Sequence, residues 1–201
     1  DVSLGPVETA SRFRVSDLDA RIRQDIAGTF SDADIAIAAV PLDLMQASGQ
    51  WRFADGRLEI EEGAFTLVDR DESPRFEPLM ARNATLTLVE NVIDAQALLR
   101  NPASERVVTQ VDLRHDLGSG AGWADLDVPG VRFDEELQPE QISQLAKGVI
   151  ANTRGVVTGA GRIDWAANGT VTSTGRFSSD DLDFAAAFGP VKGAAGTVEF
   201  T

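Results

Sequence analysis

The sequence has no cysteine, no tyrosine and a single histidine. Without cysteine there is no disulfide framework, no thiolate metal site and no thiol nucleophile, and the compartment is left open, because the absence fits reducing and oxidising surroundings alike. Basic residues are also scarce: 18 Lys plus Arg stand against 32 Asp plus Glu, a formal net charge of −14. That balance argues against a phosphate-neutralising surface, so no nucleic acid is expected as a partner. No run approaches the ~20 apolar residues a membrane-crossing helix needs. The chain opens Asp1-Val2-Ser3, with no Met, basic stretch or apolar leader, and reads as an excised segment. What remains is 201 residues, 43% hydrophobic and 25% charged, enough to fold as one elongated domain or two small ones.

Parts for catalysis are missing. The lone His115 precedes Asp116, but neighbours on a strand point to opposite faces and cannot form a dyad, so a strand-end histidine is expected. No G-x-S-x-G elbow occurs. Gly118-Ser119-Gly120-Ala121-Gly122 and Gly159-Ala160-Gly161 are followed by strand-like sequence rather than by the helix that a phosphate loop must open; they read as bends or close backbone approach. Asp32 with Asp34, Asp69 with Asp71 and Glu72, and Asp180 with Asp181 match no calcium-loop spacing. Arg52, Arg57, Arg162 and Arg176 are scattered singly on polar positions. The expectation is a protein that is not an enzyme and has no cofactor or metal.

The dominant signal is alternation at period two. It runs through Trp51-Arg52-Phe53, Leu58-Glu59-Ile60, Phe65-Thr66-Leu67, Asn83 to Glu90, Val111-Asp112-Leu113, Ile163-Asp164-Trp165, Asp181 to Phe188 and Val198-Glu199-Phe200. Ala54-Asp55-Gly56 and Asn168-Gly169 read as hairpin turns. Short strands with short turns give a mainly β, antiparallel meander. Residues 16 to 27 fit helix or strand, and strand is preferred. One short α-helix is expected near 139–151, from Pro139 at a first turn and Ile142, Leu145 and Val149 on one face, capping or plugging part of the sheet. Gly196 to Thr201 reads as a strand that stops in mid-pattern, so more chain is expected beyond it.

With 10 Phe, 3 Trp and no Tyr, the aromatic residues lean towards apolar ligands over sugars. A sheet with one continuous apolar face either closes on a second sheet, as in a β-sandwich binding or adhesion module, or curls into a groove for apolar ligand. A scaffold that binds no lipid would use the same alternation.

Several local patterns together resemble the bacterial YdbH family, relatives of TamB and AsmA-like intermembrane lipid-transport proteins. They are Trp51 with Asp55-Gly56 and Leu58; Asp69, Phe76 and Pro78; His115-Asp116-Leu117 before the glycine run; Phe133; Leu137-Gln138-Pro139; Trp165; and Phe188-Gly189-Pro190-Val191-Lys192-Gly193 leading to Val198-Glu199-Phe200-Thr201. The likeness covers residues 51–201 well and 1–50 by strand style. It implies an elongated, taco-like β-groove with residues 1–201 as one segment of a domain that continues at both ends. It implies a periplasmic location, an inner-membrane anchor helix outside this sequence, and phospholipid as the ligand passed between inner and outer membranes. About fourteen strands at ~4.8 Å would give roughly 65 Å of groove. Leu86, Leu88, Ile163, Trp165, Phe177, Leu182, Phe184, Phe188, Val198 and Phe200 are expected to face the apolar interior. A sheet edge open to strand addition would suit an envelope protein partner.

Overall fold

Globular strands average five or six residues, whereas one strand here runs to 17, and strands this long must bend to enclose anything. The structure, a computed structural model, describes residues 2–4, 7–18, 21–37 and 41–201. The strands are β1 (Val2–Leu4), β2 (Glu8–Leu18), β3 (Arg21–Ile37), β4 (Leu42–Ala54), β5 (Arg57–Asp69), β6 (Leu79–Val89), β7 (Val92–Arg100), β8 (Val107–Asp116), β9 (Gly122–Phe133), β10 (Ile150–Trp165), β11 (Val171–Ala186) and β12 (Gly189–Phe200). All twelve form one sheet, ordered β1-β3-β4 and onward to β12, with β2 also paired to β3. Every pairing is antiparallel, and the two ends of the order do not meet, so the sheet is an open meander rather than a barrel. Strand structure over 16–18 and 21–27 agrees with the reading of that stretch; Asp19 and Ala20 lie outside the described residues.

Turn chemistry sets the register. Asp55 and Gly56 have φ of 49° and 79°, and Glu90 and Asn91 have φ of 49° and 67°, the doubly left-handed pair that matches the twist of a two-residue hairpin. The Asn168-Gly169 turn joins β10 to β11, with Gly169 at φ 81° and the Ala166 amide donating to the Thr170 carbonyl at 3.0 Å.

Strands β3 to β6 each carry a one-residue slip near the middle. Pairing jumps from Phe30 to Ala33 in β3, from Met45 to Ser48 in β4, from Ile60 to Gly63 in β5 and from Ala81 to Thr85 in β6. Asp32, Gln46, Glu62 and Asn83 sit at these slips with φ between 52° and 59°, a conformation that costs a non-glycine residue roughly 1–2 kcal/mol. The Asp34 carboxylate accepts the Gln46 amide at 2.9 Å and supports one of them. A bulge bends its strand and sharpens its twist, so slips lined up across neighbours crease the sheet lengthwise and divide it into two arms. The slip also explains a correction. Leu58-Glu59-Ile60 and Phe65-Thr66-Leu67 look like separate runs but are two halves of β5. The described residues form twelve strands rather than about fourteen, with β1 and β2 sharing one edge of β3. Eleven positions at ~4.8 Å span about 48 Å, not 65 Å.

The α-helix expected at 139–151 is absent. Pro139–Gln141 and Gln144–Ala146 are single 3-10 turns, and β10 has begun by Ile150. Tertiary partners take the backbone groups a helix would use. Ser143 is extended and bridges Phe76, the Ile142 carbonyl accepts the Glu77 amide at 2.9 Å and the Gln144 amide donates to Arg75 at 3.1 Å. The Gln138 carboxamide clasps β10, accepting from the Thr153 amide at 2.8 Å and donating to its carbonyl at 3.0 Å. Of the apolar period, Ile142 packs on the core while Val149 is 60% exposed. The segment instead forms an irregular strap that packs on the sheet through Ile142, and pairing of β8 with β9 ends at Gln110.

Burial is shallow. Among the described residues ten hydrophobic side chains are buried, five of them alanines, and the compact cluster is Leu79, Ala81, Ala84, Leu99 and Val108. The exposed surface of 12552 Å² exceeds by about a third the roughly 9,200 Å² expected of a compact monomer of 21.5 kDa. One layer, not two, accounts for it: the described residues contain no second sheet, which removes the β-sandwich alternative.

The loop that carries Phe76 onto the cluster is fixed by Asp69, whose carboxylate is wholly buried. Burial raises its pKa, but the Arg75 guanidinium at 2.7 Å and the backbone amides of Arg75 and Asp71 outweigh burial and hold it below the ordinary 3.8. Asp69→Asn is expected to cost about 2 kcal/mol at neutral pH. Because the folded pKa is depressed, this contribution is complete above 3.8 and is lost as pH falls through the folded value. Urea titrations should therefore show wild type and variant converging in acid; a gap constant with pH would mean Asp69 acts by shape alone.

Candidate functional site: an apolar trough

Directly paired residues share a face, so the registers can be followed across the sheet. One line runs Phe13, Ile26, Phe53, Leu58, Leu88, Ile93, His115, Gly122, Trp165 and Val171. The next runs Gly28, Trp51, Ile60, Leu86, Ala95, Leu113, Ala124 and Ile163. Beyond the crease the same face carries Leu44, Phe65, Leu67, Leu79, Ala81 and Leu99. The slips make this continuity possible. In β5 the apolar residues are even-numbered up to Ile60 and odd-numbered from Gly63, and without the extra residue half the strand would turn its apolar side outward.

Five of the rings on this face are laid opposite glycine. Trp51 pairs with Gly28, Phe30 with Gly49, Trp165 with Gly122, Phe177 with Gly159 and Phe200 with Gly175. A Cβ added to any of these glycines would crowd the ring of its partner. Each ring thus lies down across the neighbouring backbone, tiling the floor instead of standing up from it. Phe177 and Phe200 stack in this way, centroids 6.1 Å apart and planes 10° apart. Trp165 is fixed further, its indole N–H donating to His115 Nδ1 at 3.0 Å. These two are the hydrogen-bonding side chains that β4 to β10 turn to this face between crease and hairpin turns, and their shared bond satisfies the indole N–H.

Of the ten residues expected to face the interior, the structure brings nine to this face. Leu86 and Leu88 on β6, Ile163 and Trp165 on β10, Phe177, Leu182 and Phe184 on β11, and Val198 and Phe200 on β12 share it by register. Val198 and Phe200, on the last strand, are 68% and 45% exposed. Phe188 stands apart: β11 ends at Ala186, and Phe188 sits in the hairpin turn, 83% exposed. Sequence reasoning missed Phe13, Ile26, Ile93, Leu113 and Leu126 as members of the face, along with Trp51, Phe53, Leu58 and Ile60. The signal was present in the alternating runs, but slips hid their common phase.

The opposite face is a polar lattice. Arg52 donates to Asp25 at 3.0 and 2.9 Å and holds that carboxyl below its usual value. Arg114 meets Asp94 at 2.9 Å, Gln96 meets Asp112 at 2.7 Å, and Arg162 bridges Asp125 at 2.8 Å and Asp164 at 3.1 Å. Exposed pairs like these contribute under about 1 kcal/mol each; they align register more than they stabilise. Trp123 is the aromatic exception on this face, covered by the Arg162 guanidinium 4.6 Å above its ring. Asp116, beside the histidine, accepts the Ser119 and Gly118 amides and is held low by them, so it serves its turn and not His115.

The glycine–ring pairs generate a test. Gly175→Ala should push the Phe200 ring off its place and break the Phe177 stack, whereas in a Phe200→Ala background the same change should be neutral or mildly stabilising. The resulting cycle should give a coupling of about 0.5–1.5 kcal/mol. Equal effects in both backgrounds would show that ring and glycine are independent.

No curated protein and no solved structure matches the chain. The family described as YdbH-like, "Intermembrane phospholipid transport protein YdbH", matches residues 1–201, and this protein belongs to that family.

Proposed function

We propose that the creased sheet is a segment of a periplasmic trough that receives the acyl chains of phospholipids and conducts them between the inner and outer membranes. The observation that carries this reading is the continuous apolar face on a single-layered sheet. Its large side chains are half-buried by their own neighbours, with no second sheet over them. Family membership supports phospholipid as the ligand.

The energetics suit conduction. Each CH₂ moved from water onto apolar surface contributes about 0.8 kcal/mol. A row of similar side chains on successive strands offers near-equal sites, so a chain slides without meeting a deep well. The rings that lie flat keep that row level. The other face, with the charge of −14 arranged around paired ions, stays hydrated and is repelled by anionic headgroups. No step of this function needs a catalytic group. None of the helices among the described residues is long and apolar enough to cross a membrane; anchoring to the inner membrane by a helix outside this sequence belongs to the proposal. So does an envelope partner adding a strand at β12, which pairs with β11 on one side and with no described strand on the other.

The test uses protein purified from a bacterial host, with native mass spectrometry and lipid extraction. Phospholipid should copurify, and Leu86→Asp should abolish it while circular dichroism still reports the sheet. Leu86 is half-buried in one layer, so its replacement costs only roughly 1 kcal/mol. A wild-type protein that carries no lipid and takes up none when phospholipid is supplied would leave the non-binding scaffold as the better reading.

A further inference from the structure

The two arms of the trough differ in what lies over them. One arm runs from the crease to the strand ends near Arg70, Arg100 and Phe133, and there the strap at 134–149 crosses the apolar face. It is held along its length. Arg106 reaches Asp134 at 2.8 Å and Glu136 at 2.6 Å, the Asn101 carboxamide donates to the Gln141 carbonyl at 3.1 Å, and Gln144 bonds Glu77 at 2.6 Å. Ile142 from the strap and Phe76 from the facing loop pack on Leu79, Ala81, Leu99 and Val108, each no more than 7% exposed. That space is already filled by the protein's own side chains.

The other arm runs from the crease to the hairpin turns at 55–56, 90–91, 117–121 and 166–170. None of its apolar side chains joins the cluster beneath the strap, and Phe53 is 37% exposed. From β4 to β10 its apolar side chains follow one another without interruption: Phe53, Leu58, Leu88, Ile93, then the mutually bonded His115 and Trp165, with Trp51, Ile60, Leu86, Leu113 and Ile163 beside them. The lane's polar side chains are His115 and Trp165, and because His115 Nδ1 accepts the indole N–H, an acyl chain crossing it leaves only the His115 Nε2–H without a protein partner.

Building on the phospholipid reading, we infer that the acyl-chain path is confined to this hairpin-side arm, running across the strands from β4 to β10, and that the strap bars the other arm over β5 to β9. The trough is therefore narrower than the sheet: a lane on one side of the crease and packed core on the other.

The three tryptophans make this measurable. Trp51 and Trp165 lie in the open arm, and Trp123 lies on the opposite, polar face. In single-tryptophan variants with the other two replaced by Phe, phospholipid brominated on its acyl chains should quench Trp51 and Trp165 and leave Trp123 bright. A reporter in the strapped arm, Phe65→Trp in a tryptophan-free background, should also stay bright; Leu67→Trp serves if that variant does not fold. Quenching in the strapped arm equal to that in the open arm overturns the inference while leaving lipid binding intact. Quenching at no position overturns the phospholipid reading itself, and the inference with it.

Discussion

Much of this structure depends on fitting one extra residue into each of the strands β3 to β6. Side chains alternate with a period of two, so a strand that bends at a bulge exchanges its faces unless the sequence slips phase at the same point. β3, β4, β5 and β6 all slip at their middles, at Asp32, Gln46, Glu62 and Asn83, and their apolar residues change from even to odd numbers, or the reverse, at the same place. The crease and the unbroken apolar face thus arise together. Neither the two arms nor the strap that fills one of them has meaning without that shared phase change. The left-handed backbone at these positions is strained, and it persists because a strand that lost the extra residue would turn half of its apolar side chains towards water.

Local features were legible in the amino-acid sequence. Hairpins at Asp55-Gly56 and Asn168-Gly169 are written in residues that accept positive φ, and the polar placement of Arg52, Arg162 and Arg176 follows from period two. Glycine runs such as Gly118 to Gly122 were readable as backbone close approach, though not which ring does the approaching. Phase was the obstacle at longer range. A one-residue slip looks the same as the end of one strand and the start of another, which inflated the strand count and hid Ile60 and Phe65 as members of one strand. Segment 139–151 misled for a different reason. Its apolar spacing suits a helix, but Gln138, Ile142 and Ser143 give their hydrogen bonds to β10 and to the 75–77 loop, partners distant in sequence. Phe188 continues the alternation of β11 on paper, while the chain has already turned.

The single histidine accepts from an indole, its aspartate neighbour serves a turn, and Arg52, Arg114 and Arg162 pair with carboxylates on neighbouring strands. With this little buried hydrophobic surface, stability is concentrated in the cluster beneath the strap. The folded state therefore resists change most strongly in the strapped arm, and the other arm is the softer one.

The flat rings have a consequence for how such a sheet can vary through descent. A ring lying across a glycine on the next strand occupies the volume that any other residue at the glycine would need. The two positions are distant in sequence, as with Gly122 and Trp165, yet they cannot change independently: enlarging one requires shrinking the other. Each pair behaves as a single heritable character divided between two strands. Across relatives, aromatic residues on this face should come and go together with the glycine opposite, so strand neighbours are recorded in sequence even where the chain between them has diverged.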